Sequence, residues 1–187
     1  MRISLILLAG LVLLSGCSQF PKKSANPATE SLVNLSGKNN EEATDILVGR
    51  LLEADYEAKK VAPGQFIVYF DQHTFIMEPK LVEKGLSRIV VSRVVGIKPV
   101  YRQAPELVAV TVALNRHLNF AKFSLLPNNA AGQVQASITF IHNRVDLEEI
   151  RQFMLWMDAS LNQVRHIVPP EILHMLEQPS TKPTVLP

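Results

Sequence analysis

The longest run of strand-forming residues in the chain, residues 65–97, reads QFIVYFDQHTFIMEPKLVEKGLSRIVVSRVVGI. Its aromatic and β-branched segments predict three strands, at residues 65–70, 73–78 and 86–97. Between them lie a two-residue reversal, Asp71-Gln72, and a turn over residues 79–85. Parallel neighbours need a crossover connection of a dozen or more residues, so these short connections predict antiparallel strands.

Helical patterns lie on both sides of this run. Asn39 followed by Glu42 resembles a capping box for a helix over residues 41–55, and Pro105 suits the first turn of a second helix over residues 105–118. The predicted buried face of that second helix comprises Leu107, Val110, Leu114 and Leu118. Two more strands are predicted at residues 122–126 and 133–142, the second with alternating apolar and polar residues.

The last helix has the clearest signals. Asp146 is the predicted N-cap, with Glu149 completing a capping box, and Pro169-Pro170 ends the helix. Its predicted core stripe consists of Leu147, Ile150, Met154, Met157, Leu161 and Val164. Residues 171–175 allow one further helical turn. The resulting order, α-β-β-β-α-β-β-α, predicts an α+β fold with a five-stranded antiparallel sheet packed with helices.

The first residues have the features of an export signal. Arg2 precedes a largely apolar run from Ile3 to Leu14, which is shorter than the roughly 20 residues of a membrane-spanning helix. Residues 1–16 are therefore predicted to be a signal peptide. We expect residues 17–40, rich in Ser, Pro and Lys, to be a flexible linker, residues 41–176 an α+β domain, and residues 177–187 a loose tail.

The segment Leu14-Ser15-Gly16-Cys17 resembles the lipobox of bacterial lipoproteins. The resemblance implies cleavage before Cys17, a diacylglycerol thioether on its sulfur and acylation of the new amino terminus. Two or more acyl chains give stable anchoring, whereas one is marginal. Ser18 rather than Asp follows the Cys, which by the lipoprotein sorting rule resembles an outer-membrane address in a Gram-negative cell, facing the periplasm.

Composition narrows the function classes. Hydrophobic residues make up 47% of the chain, enough for a core. Without Arg2, 18 of the 19 basic residues remain against 17 acidic residues, so no basic excess points to nucleic acid. Cys17 is the lone cysteine, which excludes an intrachain disulfide.

Residues 107–164 resemble the YbjN domain family, and the similarity extends over about 43–170. The residues that carry it are Ala113, Leu114, Asn115, Leu118, Phe123, Gly132, Val134 and the helix from Asp146. The resemblance implies a fold similar to class I chaperones of type III secretion, which are non-enzymatic dimers that bind extended segments of partner proteins. No catalytic residues belong to the family. This chain departs from the family by carrying a lipobox, and the lipobox disfavours a cytoplasmic chaperone role.

No pattern for catalysis, metal or cofactor binding stands out. The five histidines lack metal-ligand spacing, and no nucleophile elbow or phosphate loop occurs. We therefore expect no catalytic residue, no metal, no cofactor and no small-molecule substrate. A single helical stripe cannot bury Phe153, Met154, Trp156 and Met157 together, so Phe153 and Trp156 are candidate contacts for a partner protein.

These features favour a non-enzymatic, lipid-anchored envelope protein whose YbjN-like domain binds another envelope protein. The resemblance also allows a homodimer. The alternative is an accessory structural subunit of a secretion or envelope complex.

Overall fold

Six antiparallel strands form the main sheet, and two short strands pair beside it. The computed structural model of the chain describes residues 31–177. Its strands are β1 (Leu32–Asn34), β2 (Glu57–Ala62), β3 (Gln65–Phe70), β4 (His73–Lys80), β5 (Ser87–Gly96), β6 (Lys122–Leu125), β7 (Ala131–Phe140) and β8 (Arg144–Asp146). Its helices are α1 (Asn40–Glu53), α2 (Pro105–His117), α3 (Leu147–Ile167) and α4 (Pro170–Met175). The main sheet has the order β2-β3-β4-β5-β7-β6, and β1 pairs with β8.

The longest pairing in the sheet joins β5 to β7, and it runs from Ser87 opposite Phe140 to Gly96 opposite Ala131. Alternate residues of the strands point to one face and are buried there. The buried side chains of that face include Phe66, Val68, Phe75, Met77, Ile89, Val91, Val134 and Ile138. Against them pack Leu47 and Leu51 from α1 and Ile150, Met154 and Met157 from α3. The core therefore lies between one sheet face and two helices.

The α+β class and the antiparallel sheet are confirmed, but the main sheet has six strands rather than the predicted five. The additional strand is β2, which lies at the edge of the sheet and carries three charged residues in its sequence EAKKVA. The pair β1–β8 was also absent from the predicted order. Each of these two strands has only three residues, too few to show a period.

The predicted linker extended to residue 40, and the structure differs over its last part. Val33 and Leu35 are buried, and the Leu35 N–H donates to the Asn143 carbonyl at 2.7 Å. The Ser31 carbonyl accepts from the N–H of Leu147 at 2.9 Å. Two buried side chains and these bonds tie residues 31–35 to the domain, so this part of the predicted linker belongs to the folded unit.

The predicted capping box of α1 is present, whereas at α3 only the Asp146 N-cap is present, without the predicted bond to the Glu149 side chain. The Asn39 side chain accepts from the Glu42 N–H, and the Glu42 carboxylate accepts from the Asn39 N–H, both at 2.9 Å. The Asp146 carboxylate accepts from the N–H of Glu148 at 2.8 Å. Along α3 the predicted stripe is buried, with Leu161 only partly covered.

The buried face of α2 is narrower than predicted. Only Leu107 is buried, whereas Val110, Leu114 and Leu118 are half-buried. The helix contacts the edge strand β6 and the short α4 instead of lying across the sheet. A helix beside a sheet edge buries a narrower stripe than a helix on the sheet face.

The predicted signal peptide, residues 1–16, lies outside the described residues, as do Cys17, Ser18 and residues 178–187 of the predicted tail. Glu177, the first residue of the predicted tail, donates its N–H to the Gly96 carbonyl at 2.8 Å. Among residues 31–177, no helix is both long and apolar enough to cross a membrane.

Candidate functional site

Three aromatic side chains meet on the exposed side of α3 and form what we call the aromatic cluster: Phe120, Phe153 and Trp156. Phe120 comes from the connection between α2 and β6. It meets Trp156 edge-to-face, with ring centroids 5.7 Å apart and planes at 88°. The Phe153 and Trp156 rings are 5.2 Å apart. Phe120 also meets the buried Phe123 at 5.9 Å, which joins the cluster to the core.

The two predicted contact residues are thus adjacent, but their exposure differs. Phe153 is half-buried and packs against the core, whereas Trp156 is 43% exposed. Phe120 is the third member, and only its spatial position reveals it, because it lies more than 30 residues from Phe153 in sequence. Phe120 and Phe153 hold the Trp156 ring from two sides. The remaining surface of the ring is available for apolar contact with a partner, and the indole N–H is available as a hydrogen-bond donor.

A second apolar feature is an open groove between α2 and the corner where α3 meets α4, with a volume of about 530 Å³. Leu114, Leu118, Val168 and Ile172 contribute to its floor and walls. Glu106 and His117 are the ionisable side chains that line it. The groove offers apolar surface and few groups that could orient a polar substrate.

Three ionisable side chains lie between α3 and the sheet. The Asp158 carboxylate of α3 accepts from Arg93 Nη1 at 2.7 Å and approaches His73 Nε2 at 3.1 Å through the same oxygen. Arg93 is only 8% exposed, and its guanidinium lies 5.4 Å from the centroid of the Phe75 ring. A buried arginine requires a partner of this kind, because an uncompensated buried charge is strongly destabilising.

Burial lowers the pKa of His73, and the positive charge of Arg93 lowers it further, against the opposing effect of Asp158. His73 is therefore neutral at pH 7, with Nε2–H donating to the Asp158 carboxylate. Since Arg93 also engages that carboxylate, the cluster fastens α3 to β4 and β5. In the sequence, the one sign of this cluster is Arg93. It is a charged residue at the core-facing position of β5 that follows Ile89 and Val91.

The remaining histidines lie apart from this cluster. His117 lines the groove, His142 lies in the turn after β7, His166 is exposed on α3, and the ring of His174 meets that of Tyr101 edge-on at 5.8 Å. Within residues 31–177, no group of three His, Cys, Asp or Glu side chains could hold a metal ion.

Asn115, one of the residues that carry the YbjN resemblance, has a structural position at the sheet edge. Its amide accepts from the Phe123 N–H at 2.8 Å and donates to the Phe123 carbonyl at 2.7 Å. These are the outward-facing backbone groups of β6, so the side chain takes the place of a further strand.

No protein-family model matches the chain, and no curated protein matches it at a significant level. The resemblances to the lipobox and to the YbjN family therefore stay predictions from the residues.

Proposed function

We propose that this protein is a non-enzymatic, lipid-anchored envelope protein that binds another envelope protein through the aromatic cluster. The observation that carries the proposal is the 43% exposure of Trp156 on a ring that Phe120 and Phe153 hold in place. Tryptophan is enriched in binding hot spots because a large rigid surface is buried at little cost in side-chain entropy.

The position of the cluster supports this proposal over a purely structural role. The inner side of α3 is already filled by Ile150, Met154 and Met157, which are fully buried. Trp156 therefore adds little to the domain core, and its exposed surface has an energetic cost in water that a partner would remove. Leu155, which is 39% exposed at the preceding position of the helix, is the matched comparison.

The proposed location is the outer membrane, facing the periplasm, with the YbjN-like domain tethered by lipid on Cys17 and Ser18 as the sorting residue. Metabolic labelling with palmitate tests the anchor. We expect label on the wild-type chain and none on Cys17→Ala, which should also remain an unprocessed precursor. A labelled Cys17→Ala chain would contradict the lipobox.

The binding proposal is tested by affinity purification of the tagged full-length chain from membranes, comparing wild type, Trp156→Ala and Leu155→Ala. We expect Trp156→Ala to reduce recovery of the partner by about tenfold or more, the loss typical of a hot spot. Leu155→Ala should retain it. A urea melt of each variant shows whether the domain is intact, and equal recovery with all three chains would refute the proposed contact.

The same experiment separates the two functions that the sequence favours. One stoichiometric partner supports an accessory subunit of an envelope complex, whereas many unfolded clients support chaperone-like binding.

A further inference from the structure

We infer that residues 178–187, which lie outside the described residues, dock within the same chain in the groove between α2 and the corner of α3 and α4. This stretch reads QPSTKPTVLP, and we call it the tail segment. The observation that carries the inference is the incomplete cover of α2. Val110, Leu114 and Leu118 belong to the predicted buried face of the helix, yet all three are half-buried and line the groove.

The groove follows one side of α2 along most of its length. The α2 residues that line it recur at the spacing of a single helix face: Glu106, Ala109, Val110, Ala113, Leu114, His117 and Leu118. The opposite wall is also apolar and includes Val168, Ile172 and Ile167, the last 61% exposed. Two apolar walls that face each other across water are stabilised by an occupant that removes their surface from solvent.

The position of α4 brings the tail segment to one end of the groove. The segment directly follows Glu177, whose backbone N–H donates to the end of β5 at 2.8 Å. Just before it, α4 packs against the connection between β5 and α2. Lys98 Nζ donates to the His174 carbonyl at 2.6 Å, and the ring of Tyr101 lies 5.8 Å from that of His174. Since this connection leads into the first turn of α2, the tail segment starts on the side of the groove where Glu106 lies.

The length of the tail segment matches the length of the groove. From Glu106 to His117, the axis of α2 rises about 16 Å. Residues 182–187 span about 16 Å in the polyproline II conformation. The three prolines of the segment favour this conformation, because proline fixes its own φ and restricts the residue before it. A segment that is already extended loses less entropy when it docks. Residues 178–181 remain to connect Glu177 to the groove.

Charge indicates the register. Glu106 is the acidic side chain of the groove, and Lys182 is the one charged residue of the tail segment. Among residues 31–177, the Glu106 side chain has no ion-pair or hydrogen-bond partner. With Lys182 beside Glu106, Val185 lies about 9 Å further along and on the same side of a polyproline II helix, which has three residues per turn. Ala113 lies about 10 Å from Glu106 along α2, so Val185 and Ala113 become neighbours. Leu186 then faces the opposite wall.

Pairs of cysteines in the full-length chain, in isolated membranes, test this register with a short bismaleimide. We expect Ala113→Cys with Val185→Cys to give a cross-link within one chain, which mass spectrometry identifies as a peptide pair joining positions 113 and 185. Val112→Cys with Val185→Cys is the matched control, because Val112 is 53% exposed and does not line the groove. Its cross-linking rate should be lower by about tenfold or more, since docking raises the effective concentration only on the groove side. The chain with Ala113→Cys alone, in which Cys17 is the remaining cysteine, gives the background.

Charge reversal supplies the second arm. In the chain with cysteines at positions 113 and 185, Glu106→Lys or Lys182→Glu should each slow cross-linking by about two- to fivefold, because an attraction at a partly exposed site becomes a repulsion. The two reversals together should restore the rate. The inference is overturned by equal rates for the two cysteine pairs, by absence of the peptide pair between positions 113 and 185, or by failure of the double reversal. A cross-link found only between two chains, at twice the mass, also overturns it, because a second copy would then occupy the groove.

Urea midpoints of the variants monitor folding, which substitutions at exposed positions should leave unchanged. The inference is independent of the proposed partner site, because Trp156 does not line the groove. Trp156→Ala should lose the envelope partner while retaining the cross-link between positions 113 and 185.

Discussion

At the scale of single residues, Asn115 shows how one side chain can close the edge of a sheet. Its amide satisfies both outward backbone groups of Phe123. We expect Asn115→Ala to lower the free energy of unfolding by about 1–2 kcal/mol, since the freed groups are only partly reached by water. A urea titration measures the change.

The matched control is Asn119→Ala, two positions beyond the end of α2 at an exposed site. It should leave the urea midpoint close to that of the wild-type chain. Equal effects at the two asparagines would show that Asn115 is not important for closing the edge.

His73 gives the domain a pH-dependent stability. Its pKa is lowered in the folded chain by burial and by Arg93, so the unfolded chain binds the proton more tightly. The contribution of His73 to the free energy of unfolding is therefore fully present above the ordinary histidine pKa of about 6.5. It falls as the pH drops below that value toward the pKa of His73 in the folded chain. We expect the wild-type urea midpoint to decrease between about pH 7 and pH 5.

His73→Gln removes the titration while keeping a side-chain N–H that can donate to Asp158, so its midpoint should depend less on pH over that range. His166→Gln, at an exposed position on α3, should behave like wild type. A His73→Gln chain with the full wild-type pH dependence would exclude His73 as the group responsible.

At the scale of elements, α3 has both a cap and a buried stripe that act separately on stability. Asp146→Ala removes the carboxylate that accepts from the Glu148 N–H and should cost about 1 kcal/mol. Met157 is fully buried, so Met157→Ala should cost about 2–5 kcal/mol by leaving a cavity. Thermal or urea unfolding of the two variants measures both, and a Met157→Ala chain as stable as wild type would contradict this packing.

Elements with a strong hydrophobic period could be predicted from the sequence, whereas features that depend on tertiary contacts with other elements could not. The run Gln65–Phe70 and the stripe of α3 combine local propensity with burial on one face. β2 has lysines at an edge, so there tertiary contacts override local preference. The helix α2 was predicted despite its valines, but its narrow buried face was not, because that face depends on the neighbours β6 and α4. Phe153 and Trp156 were predictable because a helix has only one buried stripe. Phe120 and the Arg93–Asp158–His73 cluster come from distant segments that only the fold brings together.

At the scale of the whole molecule, the start of the cooperative unit is decided by burial rather than by composition. Residues 31–40 are largely polar, yet Val33 and Leu35 are 3% and 0% exposed. β1 also covers the region where β8 leads into α3, and the Ser31 carbonyl accepts from the first N–H of that helix. The segment thereby links the beginning of the domain to its last long helix.

Two shortened chains test this boundary. A chain that begins at Ser31 retains β1 and should have the same urea midpoint as a chain that begins at Cys17. A chain that begins at Asn39 keeps the α1 cap but loses β1, Val33 and Leu35. Loss of the Leu35 side chain alone should cost about 2–5 kcal/mol, and the exposed edge of β8 should favour aggregation. Leu35→Ala in the longer chain is the matched substitution. If the chain from Asn39 unfolds at the same urea concentration as the chain from Ser31, β1 does not belong to the cooperative unit, and the linker extends to residue 40 after all.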